Sequence, residues 1–372
     1  MPSEMAALMS PSRAWRDSFE ARAYQGFLAG IKTYWGSELY RDVVARAAAS
    51  GAKTPEHIEQ HMQGDSAYRL YGWLERRVQQ FKWTGRYGFA TLIDAQRTEL
   101  QAHLDSAASD QSGKLQLDPT LAVPDYVTAT ETHQQPGGLW RDAINAYVLA
   151  WYTTGLSFSG GNPDELVDWY ARLIRERCDE AGITPRRIVD AGCTGGRSTR
   201  AIKRAIPTAE LIGCDVCEGP LRHGRLRSME ENCDITLAQW RAEALRLPDA
   251  SVDVLASHWL YHEMPPAAIR QSIAEARRVL RPGGLFVAYD MVLIPGGAIG
   301  QWLQSGYAAR NNEPFAHTLA AFDFPSALRT NGFIDIQMEL TSPHLRQQPM
   351  SADLPARRIH PMTFVSALAP HN

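Results

Sequence analysis

The sequence has few cysteines, no long apolar run and no large excess of either charge. Its 372 residues include five cysteines, the first at position 178, and so few in so long a chain exclude a disulfide-stabilised scaffold. No apolar segment approaches the ~18 residues that a membrane-spanning helix needs. Met1–Trp15 lacks the basic start and apolar core of a secretory signal. We therefore expect a cytoplasmic protein with no membrane partner.

The charge balance argues against a nucleic-acid partner. The 38 basic and 41 acidic residues give a formal net charge of -3. This offers no extended basic surface for a phosphate backbone, although a local basic patch would escape such a count. The 44% apolar and 21% charged residues are close to globular averages. At ~150 residues per domain, the length predicts two or three domains.

The first part of the chain has the pattern of helices. Apolar residues three and four positions apart predict a helix over Tyr68–Phe89, and further helices over Phe27–Tyr34 and Glu38–Ala47. The small polar residues of Asp105–Asp118 predict a linker or an exposed loop. We expect a helical region over residues 1–125, which either adds core or forms a dimerisation and lid domain. A connecting segment with lid helices follows over residues 126–183.

From Arg186 onward the pattern is that of an α/β fold. Short apolar runs alternate with helical segments such as Pro265–Leu280, which predicts a parallel sheet covered on both faces. Ile334–Leu340 and Met362–Leu368 read as strands without a helix between them, which predicts an antiparallel hairpin at one sheet edge. The apolar runs are Ile188–Val189, Leu211–Ile212, Ile235–Leu237, Val252–Ala256 and Leu285–Ala288.

A glycine-rich turn is the clearest chemical motif. Ile188–Gly196 is a strand that runs into a turn with three glycines, which lets the backbone approach a ligand closely. Asp215 follows 19 residues after Gly196, at the end of the next strand, where an acidic side chain can bind ribose hydroxyls. The dinucleotide fingerprint G-x-G-x-x-G is not matched, because position 194 is Thr.

Four motifs make this half, over Thr184–Ala369, resemble the class I S-adenosylmethionine-dependent methyltransferase family. The first motif corresponds to Asp190–Gly196, with Thr in place of the middle glycine. Gln239–Asp249 is similar to the adenine-binding loop, Ser251–Ser257 to the fourth strand, and Val279–Leu285 to the entry into the fifth. The resemblance implies a seven-stranded Rossmann-like sheet with a C-terminal antiparallel hairpin, and S-adenosylmethionine as the cofactor.

The resemblance also implies which residues bind this cofactor. The glycine turn would hold its methionine part, Asp190 would orient the turn or meet the amino group, and Asp215 would bind the ribose. Arg241 stands where the family often has Asp, so Glu243 is the expected substitute at the adenine. The implied cofactor-binding residues are Asp190, Gly192, Cys193, Thr194, Gly195, Gly196, Asp215, Ala242 and Glu243.

The segment after the fourth strand supplies candidates for a catalytic base. His258 is expected at the strand tip and His262 one helical turn further, so that both face the ligand. A neutral imidazole is a suitable base for a hydroxyl acceptor, because its unperturbed pKa is ~6.5. The alternative is that His258 packs beside the cofactor and His262 packs or caps the next helix.

Carboxylate acceptors need no base and require only hydrogen-bond donors. The Thr132–Gly138 segment and the insertion after the fifth strand are expected to form lids over the acceptor. Asp290 is followed by Met291 and lies in no cluster of oxygen ligands, so we expect no metal. The candidate substrate-side residues are His133, Gln134, Trp140, Asp290 and Tyr307.

These observations predict methyl transfer from S-adenosylmethionine to an oxygen, hydroxyl or carboxylate, of a small-molecule acceptor. Nitrogen or carbon methylation of a small molecule is the nearest alternative, and the adenine-loop and fourth-strand pattern also resembles quinone-biosynthesis enzymes. Thr194 and the terminal hairpin disfavour a nicotinamide oxidoreductase. A non-catalytic nucleotide-binding scaffold is a third reading, which the glycines and histidines of the crevice disfavour. The helical region is where a homodimer contact is expected.

Overall fold

A computed structural model describes residues 18–138, 144, 163–291, 297–341, 343 and 362–371. The helical region predicted from the sequence is present. Ser18, Thr54 and Asp65 cap three of its helices by accepting a hydrogen bond from a first-turn backbone N–H. Its helices are α1 (Phe19–Tyr34), α2 (Tyr40–Ala49), α3 (Pro55–Met62), α4 (Ser66–Trp83), α5 (Phe89–Ala95) and α6 (Arg97–Asp105), with a π-helical turn at Trp35–Leu39 between α1 and α2.

All three predicted helices have different bounds, and the one predicted over Phe27–Tyr34 begins earlier, at Phe19. The helix predicted over Tyr68–Phe89 ends at Trp83, because Thr84 is extended and Gly85 is left-handed with a φ of 83°. The helix predicted over Glu38–Ala47 begins at Tyr40, since the preceding residues form the π-helical turn. A short helix, α7 (Asp125–Thr128), and a 3-10 turn at Thr132–Gln134 follow the helical region.

The second half is the predicted α/β fold, built on one sheet of eight strands. The strand order is β1-β4-β3-β2-β5-β6-β8-β7. Strands β1 to β6 are parallel, while β8 is antiparallel to both β6 and β7. The strands are β1 (Leu115–Gln116), β2 (Arg187–Ala191), β3 (Glu210–Asp215), β4 (Thr236–Gln239), β5 (Val252–His258), β6 (Leu280–Met291), β7 (Ile334–Thr341) and β8 (Met362–Leu368).

The additional strand, β1, corrects two expectations. The predicted seven-stranded sheet gains β1, which lies inside the segment expected to be a linker or an exposed loop. Leu115 and Gln116 pair with Leu237 and Ala238 of β4. The segment is further fixed to α10 (Glu218–Glu230), because Asp110 forms a 2.7 Å ion pair with Arg225. A strand of two residues is too short to show periodicity, so only its tertiary partner reveals it.

Helices cover both faces of the sheet. One face packs against α8 (Pro163–Glu180), α9 (Arg197–Ala205) and α10, and the other against α11 (Pro266–Val279) and α14 (Phe324–Thr330). The segment between β6 and β7 also contains α12 (Ala298–Asn311) and α13 (Ala316–Ala320). Trp302 and Leu303 of α12 complete the core of the helical region. No helix of the described ranges is long and apolar enough to cross a membrane.

Candidate functional site

The glycine turn follows β2 at the carboxyl edge of the sheet. Gly192 has a φ of 73°, and a Cβ there would lie 2.7 Å from Leu260 Cδ1, so glycine is required. Thr194, at the position of the family's middle glycine, is also left-handed, with a φ of 50°. Its side chain is exposed, so the cost of threonine is backbone strain rather than a clash. Gly196, with a φ of 66°, begins α9.

Cys193 and Gly195, the remaining residues of the turn, can contact a ligand through their backbone atoms. Cys193 is buried in the core against α9 and β3. The carbonyl oxygen of Gly195 accepts a hydrogen bond of 2.9 Å from Arg200 Nη1, which fixes the turn to α9. A ligand in the crevice therefore meets main-chain atoms here rather than the Cys193 thiol.

Asp215 and the glycine turn hold each other in place. Asp215 Oδ2 accepts a hydrogen bond of 2.9 Å from the Thr194 N–H, and Oδ1 accepts one of 2.9 Å from the Cys217 N–H. Burial raises the pKa of Asp215, and these backbone donors oppose the shift. A carboxylate accepts about four hydrogen bonds, so it retains capacity for two ribose hydroxyls.

Asp190 fastens β2 to the helix after the turn. It is fully buried, and Oδ2 accepts hydrogen bonds of 2.6 Å from Ser198 Oγ and 2.7 Å from Thr199 Oγ1. Burial raises its pKa to about 6, which the two hydroxyls oppose. Oδ1 has no hydrogen-bond partner among the described residues. Asp190 was expected either to orient the turn or to meet the amino group of the cofactor. These contacts support the first role.

The expected adenine loop is a tight turn in which Arg241 and Ala244 form an isolated bridge. Ala242 is 9% exposed. Glu243 Oε1 accepts a 2.7 Å hydrogen bond from the Tyr126 hydroxyl and lies 3.5 Å from Arg241 Nη2. Tyr126 belongs to α7, outside the sheet, and no local pattern had singled it out.

His258 and His262 do not share one helical turn, so that expectation is wrong. His258 ends β5, Trp259 is left-handed with a φ of 57°, and a 3-10 turn begins at Tyr261. The His258 ring packs against Tyr170 of α8, with centroids 5.1 Å apart. Burial lowers the pKa of His258 to about 4, and its Nε2 has no partner among the described residues.

His262 belongs instead to a buried cluster of histidines and carboxylates. Its Nδ1 lies 2.8 Å from Asp290 Oδ1, and its Nε2 lies 3.5 Å from Glu263 Oε1. Burial alone would lower the pKa of His262, but the Asp290, Glu263 and Glu313 carboxylates outweigh it and raise the pKa to about 10. His262 is therefore an imidazolium at neutral pH.

His133 joins the same cluster from the segment between β1 and β2. Its Nδ1 lies 2.8 Å from Glu313 Oε1, and its Nε2 lies 3.3 Å from Glu263 Oε1. Burial again opposes the carboxylates, which raise the pKa of His133 to about 9. We call His133, His262, Glu263, Asp290 and Glu313 the histidine–carboxylate cluster.

The other predicted substrate-side residues that the structure describes lie at or beside this cluster. Asp290, at the end of β6, accepts a 2.7 Å hydrogen bond from the Tyr261 N–H. The Tyr307 hydroxyl donates a 2.9 Å hydrogen bond to Glu313 Oε1. Gln134 Nε2 donates to the Arg310 carbonyl at 3.1 Å, which fixes the segment to α12. Trp140 lies outside the described residues.

Glu263 and Glu313 were not identified from the sequence. Glu263 lies beside His262 in the segment that supplied the candidate bases, so its place in the sequence could have identified it. No signal in the sequence could have identified Glu313, because its partner His133 lies in a distant part of the chain. The part of the chain described by the structure contains no group of three or more His, Cys, Asp or Glu side chains arranged to hold a metal ion.

Comparison with known proteins agrees with this geometry. A family model described as a methyltransferase domain matches residues 188–284. The malonyl-[acyl-carrier protein] O-methyltransferase of Methylococcus capsulatus is 38% identical over 104 residues. The chain carries a class I S-adenosylmethionine-dependent methyltransferase domain.

Two further relatives of the methyltransferase domain are named for different reactions. The ubiquinone biosynthesis O-methyltransferase of Nitrosococcus oceani is 29% identical over 45% of this chain and 70% of its own length. The ubiquinone/menaquinone biosynthesis C-methyltransferase of Rhodopseudomonas palustris is 34% identical over 30% of this chain and 46% of its own length. The Methylococcus capsulatus match spans 28% of this chain and only 36% of that relative.

Among solved structures, phosphoethanolamine N-methyltransferase 2 of Haemonchus contortus is similar to this chain. The match has a TM-score of 0.45 and 17% identity, and it covers 68% of this chain and 61% of the other.

The residues at the carboxyl edge of the methyltransferase domain fit S-adenosylmethionine. Gly192 leaves no room for a side chain between the turn and Leu260. Asp215 keeps acceptor capacity after its two backbone bonds, and Asp190 has one buried oxygen without a partner among the described residues. Backbone donors, a hydroxyl-binding carboxylate and a close-approach glycine are what this cofactor requires.

Proposed function

We propose that this protein transfers a methyl group from S-adenosylmethionine to an oxygen atom of a small-molecule acceptor. The observation that carries the oxygen assignment is the histidine–carboxylate cluster at the ends of β5 and β6, because a hydroxyl acceptor must lose a proton during the transfer. Two of the relatives above are named O-methyltransferases, which supports the same acceptor atom.

The residues proposed to bind the cofactor follow from the methyltransferase domain. The bound cofactor supplies a methyl group on a positively charged sulfur, which an acceptor attacks in line. The backbone of Gly192–Gly196 would hold the methionine part, Asp215 would accept hydrogen bonds from the ribose, and Ala242 and Glu243 would line the adenine site. Positioning accounts for most of the rate enhancement in such a displacement, since no covalent enzyme intermediate is required.

The acceptor side is formed by residues from three parts of the chain. His133 and Gln134 come from the segment between β1 and β2, Asp290 from β6, and Tyr307 from α12. The predicted base is one of two histidines, which differ in protonation. His262 carries a proton at neutral pH, whereas His258 is neutral but its Nε2 is buried. A carboxylate acceptor would need neither.

The direct test is methylation of an acceptor panel with radiolabelled S-adenosylmethionine. The panel contains catechols and other phenols, dicarboxylic acids, and primary amines. We expect label in a methyl ether or ester, and tight binding of S-adenosylhomocysteine but not of NAD by calorimetry. Label found only on nitrogen would contradict the oxygen assignment, and tight NAD binding would contradict the cofactor assignment.

Carbon methylation is the second candidate function, because the relative from Rhodopseudomonas palustris is named a C-methyltransferase. The two functions give different products from a hydroquinone acceptor. A ¹³C-labelled methyl group on oxygen resonates far downfield of one on a ring carbon. A ring-methyl product would favour the second candidate.

We further propose that the protein works in the cytoplasm, on a small molecule and without nucleic acid, as a homodimer joined through its helical region. Large apolar side chains exposed on α1 and α4, including Phe19, Phe27 and Trp73, support the dimer. A sedimentation velocity experiment that finds only a monomer at micromolar concentration would contradict it.

A further inference from the structure

Glu263 is the one member of the histidine–carboxylate cluster that opens toward solvent. Its side chain is 26% exposed, compared with 11% for His133, 6% for His262 and less for Asp290 and Glu313. Its Oε1 contacts both imidazoles, at 3.3 Å and 3.5 Å. Its Oε2 accepts no hydrogen bond from the described residues. One carboxylate oxygen is thus fixed by two cations, and the other is available to a ligand.

Glu263 also lies at the edge of the sheet where the cofactor would bind. It ends the 3-10 turn Tyr261–Glu263 that follows β5, and β5 pairs in parallel with β2, whose carboxyl end carries the glycine turn. The next strand, β3, ends at Asp215, the residue expected to bind the ribose. Glu263 is therefore on the same edge of the sheet as the residues expected to hold the cofactor.

We propose that Glu263 is the catalytic base that takes the proton of an acceptor hydroxyl. His133 and His262 are then positioning residues that hold Glu263 through its Oε1. Asp290 and Glu313 hold these two imidazoles from the other side. The proposal rests on the proposed function, and it replaces the expected histidine base with the carboxylate between the two histidines.

The chemistry of the step favours a carboxylate over the protonated His262. The acceptor oxygen forms a bond to the methyl carbon, the electrons of the broken carbon–sulfur bond stay on sulfur, and the hydroxyl proton passes to Glu263 Oε2. A carboxylate is a sufficient base, because the hydroxyl becomes strongly acidic as the new bond forms. The Asp290 and Glu263 carboxylates help to raise the pKa of His262 to about 10, so its imidazole is protonated at neutral pH and has no lone pair to accept another proton.

The test compares Glu263→Gln and Glu263→Asp with the wild type, using the hydroxyl acceptor that the panel methylates fastest. We expect Glu263→Gln to lower kcat by about 10²–10⁴. We expect little change in S-adenosylhomocysteine affinity and partial activity in Glu263→Asp. Glu99→Gln, an exposed glutamate on α6, is the matched control and should behave as the wild type.

The pH profile separates the two kinds of base. A carboxylate base gives a wild-type rate that is constant between about pH 6 and pH 8. If His262 were the base, the rate would rise across this range and continue toward pH 10, since its pKa is about 10. Glu263, Glu313, Asp290 and His133 are the titratable groups of the cluster around it.

A second measurement needs no acceptor. Titration of the imidazole resonances by NMR should show that Glu263→Gln lowers the pKa of both His133 and His262, because one carboxylate contacts both. The proposal is overturned if neither pKa moves, if Glu263→Gln keeps more than about a tenth of kcat, or if the panel methylates carboxylates or amines but no hydroxyl. Failure of S-adenosylhomocysteine to bind would instead count against the proposed function itself.

Discussion

At the scale of single residues, a strained threonine and a buried carboxylate form one unit. Thr194 takes a left-handed conformation that costs a non-glycine residue about 1–2 kcal/mol. Its N–H donates to Asp215 Oδ2, so the carboxylate that we propose to bind the ribose also stabilises the strained turn. The departure from the family's glycine pattern is therefore compensated within the site.

We predict that Asp215→Ala weakens S-adenosylhomocysteine binding by about 1–3 kcal/mol, because the variant leaves hydrogen-bonded groups without a partner. Asp215→Asn, which keeps one acceptor oxygen, should lose less. Isothermal titration calorimetry measures both. Asp179→Ala, an exposed aspartate on α8, is the control and should bind as the wild type does. Equal affinity of Asp215→Ala and the control would contradict the assignment of Asp215.

At the scale of elements, α10 is pressed against the glycine turn. A Cβ on Gly224 of α10 would lie 2.5 Å from the Gly195 carbonyl oxygen and 2.9 Å from Leu237 Cδ1. A backbone oxygen cannot move aside as a flexible side chain can. The position of α10 is thus coupled to the conformation of the turn.

Gly224→Ala should accordingly destabilise the fold by about 1–3 kcal/mol, as overpacking does, and also weaken S-adenosylhomocysteine binding. Gly30→Ala on α1 is the matched control, since a Cβ there meets nothing within 4 Å. That variant should gain about 0.5–1 kcal/mol, the usual advantage of alanine over glycine inside a helix. Urea unfolding measures both changes, and a stable Gly224→Ala that binds normally would show that α10 and the turn move independently.

The elements also show what sequence reasoning can reach. The helix α11 lies where periodicity predicted it, because Ile269, Ile273 and Val279 bury one continuous face. Strands β7 and β8 also lie where the sequence predicted strands. The glycine turn and the position of Asp215 followed equally directly, since strand, turn and acid are close in sequence. β1 could not be predicted, because its only signature is the pairing with β4.

At the scale of the whole molecule, the histidine–carboxylate cluster joins three separate regions. His133 lies between β1 and β2, Glu263 follows β5, and Glu313 follows α12. Trp83 of α4 binds the segment as well, because its Nε1 donates a 3.1 Å hydrogen bond to the His133 carbonyl. Sequence reasoning named the histidines by residue type and place, but their pairing depends on tertiary contacts that no spacing encodes.

The two buried imidazoles predict a loss of stability at alkaline pH. Their folded-state pKa values, about 9 for His133 and about 10 for His262, lie above the ordinary value of about 6.5. The folded state thus holds protons that the unfolded state releases. This stabilisation is fully present below about pH 6.5 and is lost as the pH rises through 9 and 10, by a few kcal/mol in all.

Urea unfolding at intervals from pH 6 to pH 10 measures this loss. The fall in the free energy of unfolding should be shallower in His133→Asn, while His61→Asn, an exposed histidine on α3, serves as the control and should follow the wild type. A wild-type profile without any decline above pH 8 would show that the imidazoles are not held as cations.

The two-residue strand β1 has a consequence for colloidal behaviour. An uncovered strand at the margin of a sheet exposes a row of unpaired N–H and C=O groups and templates aggregation. β1 covers this edge of β4 by pairing with it, and all four residues of β4 are buried. The strand at the opposite edge, β7, carries Asp335 and Glu339 and has an irregular register. Charged residues and irregular pairing at an edge discourage edge-to-edge association of sheets. Removing residues 1–125 would leave β4 as an open template, so a truncated methyltransferase domain should precipitate where the longer chain stays in solution.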